Sequence, residues 1–270
     1  MSKIAVLVPR EFMLEQARRF IEEEKVDVDI LRVIKTADSV YEARKAVEEG
    51  AGIVVARGAQ AAFIKKFTNI PLAEIVLTGQ EVGRIIKRAK GLLAKERPHI
   101  AIIGFRNMFG DMTYFEEIFD IILRIYFIDA IEETSDILKH AVSEGAELII
   151  GGDVANELAE EQGIPALFFE STDDSIRTAL TTAKKMSYAA ELEKTHIAQF
   201  ETVLDTSANG IIKIDIEKTI TNVNRSGEEL LGKSSSAVEG ERVTVVIPDM
   251  EVEYIDAVLH GKRDTYTTSV

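Results

Sequence analysis

The sequence predicts an α/β protein with two tandem, doubly wound parallel-sheet lobes, followed by a long helix and a small α+β segment. Three observations carry that prediction. Short apolar runs alternate with stretches of helical period, this alternation occurs twice in the same order, and beyond a long uninterrupted helix the pattern changes to short strands joined by turns. The repetition is visible in the residues themselves. Ala46-Val47-Glu48-Glu49-Gly50-Ala51-Gly52-Ile53-Val54-Val55 returns as Ala141-Val142-Ser143-Glu144-Gly145-Ala146-Glu147-Leu148-Ile149-Ile150. Ile70-Pro71 returns as Ile164-Pro165, and Lys3 to Val8 returns as His99 to Gly104. Ala51 and Ala146 are 95 positions apart, Ile70 and Ile164 are 94 apart, and Ile4 and Ile100 are 96 apart. Near-constant spacing of this kind marks a duplicated unit.

In the first copy, the apolar run Ile4 to Val8 suits a strand buried on both faces, and Phe12, Ala17 and Phe20-Ile21 give Glu11 to Glu24 a helical stripe. A strand from Val28 to Val33, a helix from Ser39 to Glu49, a strand from Ile53 to Ala56, a helix from Ala59 to Lys66 and a strand from Leu72 to Leu77 are expected to follow. A helix from Gln80 to Leu93 joins the lobes. The second copy is expected to comprise strand Ile100 to Ile103, helix Met112 to Leu123, strand Arg124 to Ile128, helix Ser135 to Glu144, strand Leu148 to Ile150, helix Val154 to Glu161 and strand Ala166 to Phe169. Alternating strands and helices imply parallel sheets with right-handed crossovers. The expected division is 1–78 for the first lobe, 79–97 for the joining helix, 98–172 for the second lobe, 173–204 for a linker helix and 205–270 for the last module.

Composition narrows the function. The 270 residues include 32 Lys and Arg against 46 Asp and Glu, a net charge of −14. That balance disfavours sequence-independent contact with nucleic acid or anionic membranes, which needs clustered cations. With no cysteine there is no disulfide, thiolate metal site or cysteine nucleophile, and racemases that use a Cys pair across a two-lobed cleft are excluded. No run reaches the ~18 apolar residues of a membrane span, and Met1-Ser2-Lys3 with Ile4 to Val8 is too short for a signal-peptide core. A cytoplasmic location is expected.

Ligands of open α/β sheets sit beyond the carboxyl ends of the strands. The loops there are Pro9-Arg10, Thr36 to Ser39, Arg57 to Gln60, Thr78-Gly79, Gly104 to Gly110, Glu133 to Ser135, Gly151 to Asp153 and Ser171-Thr172. Several offer small residues, hydroxyls and helix-start N–H groups, the furniture of an anion site. The candidate ligand-binding residues are Arg57, Gly58, Ala59, Gln60, Thr78, Gly79, Arg106, Ser135, Gly151, Gly152 and Asp153, with Arg57 supplying a guanidinium fork for a carboxylate or phosphate. Structural alternatives stand beside each. Ser39, Ser135 and Thr172 suit helix N-caps, Gly151-Gly152 suits a tight turn, Arg57 could pair with a surface carboxylate such as Glu81, and Arg106 and Asn107 suit an exposed loop.

No catalytic constellation emerges. Gly104 to Gly110 lacks both the Lys-Ser/Thr ending of a P-loop and the spacing of a dinucleotide loop. His99, His140, His196 and His260 are scattered, with no metal-binding pair and no G-x-S-x-G elbow. A non-enzyme without a cofactor or metal is expected.

From Asp173 to about Leu204 there is no Gly or Pro, and Ala179, Ala183, Met186, Ala190, Ile197, Phe200 and Leu204 form a stripe suited to packing on a lobe and then on a partner chain. In the remainder, Asn209 to Asp215 and Thr219 to Asn224 read as two strands, and Glu228-Glu229-Leu230-Leu231-Gly232 as a small helix and its end. With Asn224, Leu231-Gly232, Gly240 and Ile247-Pro248 matching the family pattern, this stretch resembles a PAS domain. Val252 to His260 would be the helix beside the sheet, ended by Gly261, and Thr265 to Val270 the start of the third strand. The last two strands of the pattern are missing, so the chain is expected to stop inside the domain. An open sheet edge should leave this region less ordered than the lobes or completed by a partner chain. The flavin-binding cysteine loop of light-sensing relatives and a haem-ligating histidine are both absent from the pattern.

The two-lobed part resembles the N-terminal sensory region of propionate catabolism regulators, a family of sigma-54-dependent transcriptional activators. The residues carrying this resemblance are Gly50 to Gly58, Phe63-Ile64-Lys65, Ile70-Pro71, Thr78-Gly79-Gln80-Glu81-Val82, Gly145 to Gly152, Leu158-Ala159-Glu160-Glu161 and Gly163-Ile164. The resemblance implies a sensor that precedes an AAA+ ATPase and a helix-turn-helix in the full-length protein, with sigma-54 RNA polymerase and DNA as partners. It also implies a small anionic metabolite as ligand, 2-methylcitrate in the founding members. Ala59-Gln60-Ala61 stands where a Ser-Asn-Gly-like ligand loop is expected, a departure that points to a different ligand. Lobe closure around a carboxylate would bias the helix after Asp173, and a homodimer or higher oligomer would form through that helix and the PAS region. The alternatives are a transporter's solute-binding protein, since periplasmic binding proteins share the Rossmann-like two-lobe plan, the sensory part of a histidine kinase, and an enzyme of sugar-phosphate or carboxylate chemistry.

Overall fold

Lys3–Val8 forms the first strand (β1), and every residue after Lys3 is buried. Ile4, Val6 and Val8 face one layer of helices and Ala5 and Leu7 face another, which is the consequence of a two-residue side-chain period in a strand covered on both sides. The computed structural model describes residues 3–169, 172–248 and 255. It divides into two compact units, Met1–Glu191 and Leu192–Val270.

In the first unit, β1 is followed by α1 (Glu11–Glu24), β2 (Val28–Val33), α2 (Ser39–Glu48), β3 (Ala51–Arg57), α3 (Gly58–Phe67) and β4 (Leu72–Ile75). Helix α4 (Gly79–Leu93) crosses to the second lobe, which contains β5 (His99–Phe105), α5 (Phe115–Phe119), β6 (Ile122–Ile128), α6 (Thr134–Ser143), β7 (Leu148–Gly151), α7 (Asp153–Glu161) and β8 (Ala166–Phe168). Among the described residues each lobe has a four-stranded parallel sheet, ordered β2-β1-β3-β4 and β6-β5-β7-β8. The repeat extends to register, since Ile4 pairs with Ile53 as Ile100 pairs with Leu148. The expected fold class of two doubly wound lobes is the observed one.

Expectation and structure differ in α5 and in how α2 and α6 begin. The helix expected from Met112 to Leu123 is cut to Phe115–Phe119, because Asp120 adopts the left-handed conformation (φ 49°) and closes it. The apolar residues after it enter β6, where Glu116 accepts from the Leu123 N–H at 2.7 Å. Ser39 and Ser135 are not N-caps. Both lie inside the first turn of their helices, behind short 3₁₀ turns at Thr36–Asp38 and Ile131–Glu133.

The lobes exchange helices. Val82, Ile85, Ile86 and Ala89 of α4 pack into the core of the second lobe. The long helix α8 (Asp173–Thr206), which leaves the second lobe, returns to pack Ile176, Ala179, Leu180 and Ala183 against α1 and the β1, β3 and β4 side chains of the first. The stripe expected to cover a lobe thus covers the opposite lobe from the one that precedes it in sequence.

The second unit contains an antiparallel pair, β9 (Ile212–Ile214) and β10 (Ile220–Val223), with short helices α9 (Arg225–Leu231), α10 (Ser235–Val238) and α11 (Val243–Val246). Its core gathers Ile220, Val223, Val238, Val243 and Ile255. The expected strand Thr265 to Val270 lies outside the described residues, as does the expected Val252 to His260 helix apart from Ile255, which is helical and buried. Asn224 organises this unit. Its Oδ1 accepts from the Ile211 and Gly227 N–H groups at 2.6 and 2.9 Å, and its Nδ2 donates to the Leu204 and Asn209 carbonyls at 2.7 and 3.0 Å. One buried amide therefore ties the end of α8, the start of β9 and the N-terminus of α9. Asn224→Asp would turn two donors into acceptors facing carbonyls, at a cost of ~1–3 kcal/mol for each group left unpaired. Limited proteolysis of that variant should open the segment after Leu204 while leaving residues 3–169 as resistant as before.

Candidate functional site

The carboxyl ends of the strands in both lobes, β4 excepted, converge on a cavity of about 170 Å³. The first lobe contributes Pro9, Thr36 and Arg57 to Gln60, and the second contributes Ile103 to Phe105, Met108, Ile128, Ile131, Thr134, Gly152 to Ala155, Phe168 and Phe169. Most of this wall is apolar. Contacts between the lobes hold three of its lining residues, Gly58, Phe105 and Met108: Asn107 Nδ2 donates to the Gly58 carbonyl at 3.1 Å, the Leu77 N–H to the Met108 carbonyl at 2.9 Å, and Phe63 meets Phe105 edge-on. Gly58 makes this approach possible. It sits at φ 53°, and a Cβ there would lie 3.1 Å from Met108 Sδ. At the rim Arg10 and Asp153 form an exposed ion pair between the lobes, and the Arg10 guanidinium lies 5.4 Å from the centre of the Phe168 ring.

Arg57 ends β3 with 5% of its surface exposed. Its Nη2 donates to the Phe169 carbonyl at 3.2 Å, and its Nη1 lies 3.8 Å from Met13 Sδ. Burial pushes the guanidinium pKa down to about 10, against the attraction of Glu81, so it stays charged at neutral pH. Glu81 is itself buried, not the surface carboxylate the sequence suggested. It completes a capping box with Thr78 at the start of α4, accepting from the Thr78 N–H at 2.7 Å while Thr78 Oγ1 accepts from the Glu81 N–H at 3.2 Å. Its other oxygen accepts from the Thr172 N–H and, at 2.7 Å, from the Thr172 hydroxyl, immediately before α8. Burial raises the carboxyl pKa, but the bonds from Thr172, the Thr78 backbone and Ser175 outweigh it and hold it below the usual value.

Of the candidate residues, Arg57, Gly58, Ala59, Gln60, Gly152 and Asp153 line the cavity. The others lie elsewhere for identifiable reasons. Thr78 and Gly79 start α4 in the capping box. Arg106 is exposed and stacks 4.1 Å from the centre of the Phe127 ring. Gly151 ends β7, where a Cβ would meet Ala155 Cβ at 2.5 Å, so tight strand-to-helix packing accounts for it. Ser135 is one position beyond the residue that lines the cavity, Thr134, whose hydroxyl donates to the Ile131 carbonyl at 2.6 Å. Reading loops for polar atoms passed over the apolar wall. Its signal was the large residues ending strands, with Phe105, Ile128 and Phe168 closing β5, β6 and β8. Among the described residues, no group of three His, Cys, Asp or Glu could hold a metal ion, and no helix is long and apolar enough to cross a membrane.

The family model described as propionate catabolism activator matches residues 22–193. The chain belongs to the propionate catabolism activator family. A PAS-domain model matches residues 198–262, so this family member is a regulatory sensory region built of two modules. Among solved structures, an NtrC family transcriptional regulator from Clostridium acetobutylicum is similar in fold, with 20% identity, a TM-score of 0.55 and coverage of 67% of this chain and 94% of its own. The ABC domain in complex with L-Trp from Streptococcus pneumonia is 11% identical over 70% of this chain and 85% of its own, with a TM-score of 0.40.

The lowered Glu81 pKa contributes stability above the usual 4.5, and that contribution is lost as the pH falls through 4.5 towards the depressed value. In Glu81→Gln, urea unfolding at pH 7 should show a loss of about 1–3 kcal/mol, and the decline in stability below pH 4.5 should become shallower than in the unmodified chain.

Proposed function

We propose that this chain is the ligand-sensing region of a sigma-54-dependent transcriptional activator, and that a small carboxylate bound between its lobes is the signal. The observation that carries the reading is Arg57, a buried guanidinium on the wall of the inter-lobe cavity. Arg57 stays charged at neutral pH on a largely apolar wall, and its planar guanidinium is a group that a carboxylate drawn between two lobes can meet. Both lobes wall the cavity, so a ligand there favours one inter-lobe geometry over another, and only such differential affinity can transmit a signal. Two contacts support a role for helix α8 in reading that geometry: Thr172, just before it, is bound to Glu81 of the joining helix, and its first turns pack on the first lobe.

In this reading α8 and the PAS module pass the state to an AAA+ and helix-turn-helix output, with sigma-54 RNA polymerase and DNA as partners of the full-length cytoplasmic protein. PAS domains often mediate dimerisation. Tyr188, Leu192, Ile197, Phe200 and Val203 are exposed on α8, which supports a homodimer along that helix. The remaining candidates, Thr78, Gly79, Arg106, Ser135 and Gly151, act in this scheme as supports for the lobe geometry.

A thermal-shift panel of small carboxylates tests the reading. A ligand at about 100 times its Kd stabilises by about 2.7 kcal/mol, or roughly 5–10 °C for a chain of this size. Arg57→Ala should abolish the shift and Arg57→Lys, which keeps the charge but not the fork, should weaken binding by about tenfold. An unchanged shift in either variant rejects the site.

A further inference from the structure

Arg10 and Arg106 occupy equivalent places in the duplicated lobes. Each follows the first strand of its lobe, β1 or β5, and the two are 96 positions apart, the spacing of Ile4 and Ile100. Both guanidiniums stack on a phenylalanine, but the rings stand in different places. Arg106 lies 4.1 Å from the ring centre of Phe127, on the neighbouring strand β6 of its own lobe. Phe127 pairs with Gly104, and the matching pair in the first lobe is Val8 with Val33. Valine offers no ring to stack on. Arg10 instead turns to the other lobe, where its guanidinium lies 5.4 Å from the ring centre of Phe168 in β8 and pairs with Asp153 of α7. Both partners are on the cavity wall. Neither lobe depends on this contact for its own helices. Arg10 makes no side-chain cap to α1, and Asp153 sits in the first turn of α7, where a carboxylate suits the helix N-terminus with or without Arg10.

We infer that Arg10 is a latch: its ion pair with Asp153 and its stacking on Phe168 hold the two lobes together at the mouth of the cavity, and both contacts break when the lobes part. The side chains of Arg10 and Asp153 are 46% and 52% exposed, so the pair adds little against unfolding. Two arrangements of the same folded lobes differ by far less than folded and unfolded states do, and there a weak ion pair joined to a cation–ring contact shifts the population. The latch thereby sets how much differential affinity a ligand must supply to change the lobe geometry. It acts on the lobes whatever the ligand is.

Pulsed electron paramagnetic resonance on the full chain, with no ligand added, tests the latch separately from the carboxylate reading. The chain has no cysteine, so Ala37→Cys and Glu132→Cys place one spin label in each lobe, at exposed positions beside Thr36 and Ile131 of the cavity wall. Arg10→Glu sets two carboxylates against each other and should raise the ratio of long to short distances by about threefold or more. Asp153→Asn, which removes the charge alone, should raise it by a smaller factor. Combining Arg10→Glu with Asp153→Arg should bring the distribution back towards that of the labelled parent. Arg106→Glu, the same change at the equivalent position, should leave it as it was. Unchanged distances in Arg10→Glu, no recovery in the charge-swapped variant, or an equal change in Arg106→Glu would overturn the latch.

Discussion

Neither lobe completes its own core. The first sheet has a face that α1 covers only in part, and the four side chains that finish it, Ile176, Ala179, Leu180 and Ala183, come from the helix that follows the second lobe. The second lobe draws Val82, Ile85, Ile86 and Ala89 from the helix that follows the first. Each fully buried Leu or Ile of this kind stabilises by roughly 1.5–3 kcal/mol, so the exchange is a large share of what keeps the lobes together. It also dictates the route of the chain, which must cross between lobes at α4 and again at the start of α8. Any change in the angle between the lobes is therefore felt at both crossings.

The two crossings share one buried carboxylate. Glu81 caps α4 through Thr78 and holds Thr172 at the head of α8, and its charge attracts the guanidinium of Arg57. Arg57 in turn donates to the carbonyl of Phe169, just past β8. The cation of the cavity and the start of the long helix are thus connected by hydrogen bonds and one charge attraction over a short stretch of chain. This connection gives the sensory reading a physical route, from a ligand's carboxylate to the helix that continues into the PAS module.

Much of the fold was legible in the sequence because the duplication doubles the information. The Gly50-Ala51 and Gly145-Ala146 turns, the Ile-Pro pairs before β4 and β8 and the apolar runs between them mark equivalent elements, and the same strand order follows in both lobes. Asn224 was legible by another route, the resemblance to the PAS pattern, in which a strand ends in Asn before a helix. What was not legible depends on contacts distant in sequence. No periodicity shows that α8 packs on the first lobe, or that Asp120 turns left-handed and cuts α5 short. The candidate site divided along the same line. Arg57 to Gln60 and Gly152-Asp153 could be found from loops at strand ends, whereas the large apolar residues at strand ends, Phe105 and Ile128 among them, are told from other core residues only when two sheets face each other.

The central claim is that one carboxylate engages both lobes at once and that α8 responds. Hydrogen exchange followed by mass spectrometry, with and without a carboxylate that raises the Tm, measures this directly. The account predicts slowed exchange in 57–60 of the first lobe and 152–155 of the second together, with a change in the first turns of α8. Protection confined to one lobe, or protection in both with no change in α8, would contradict it.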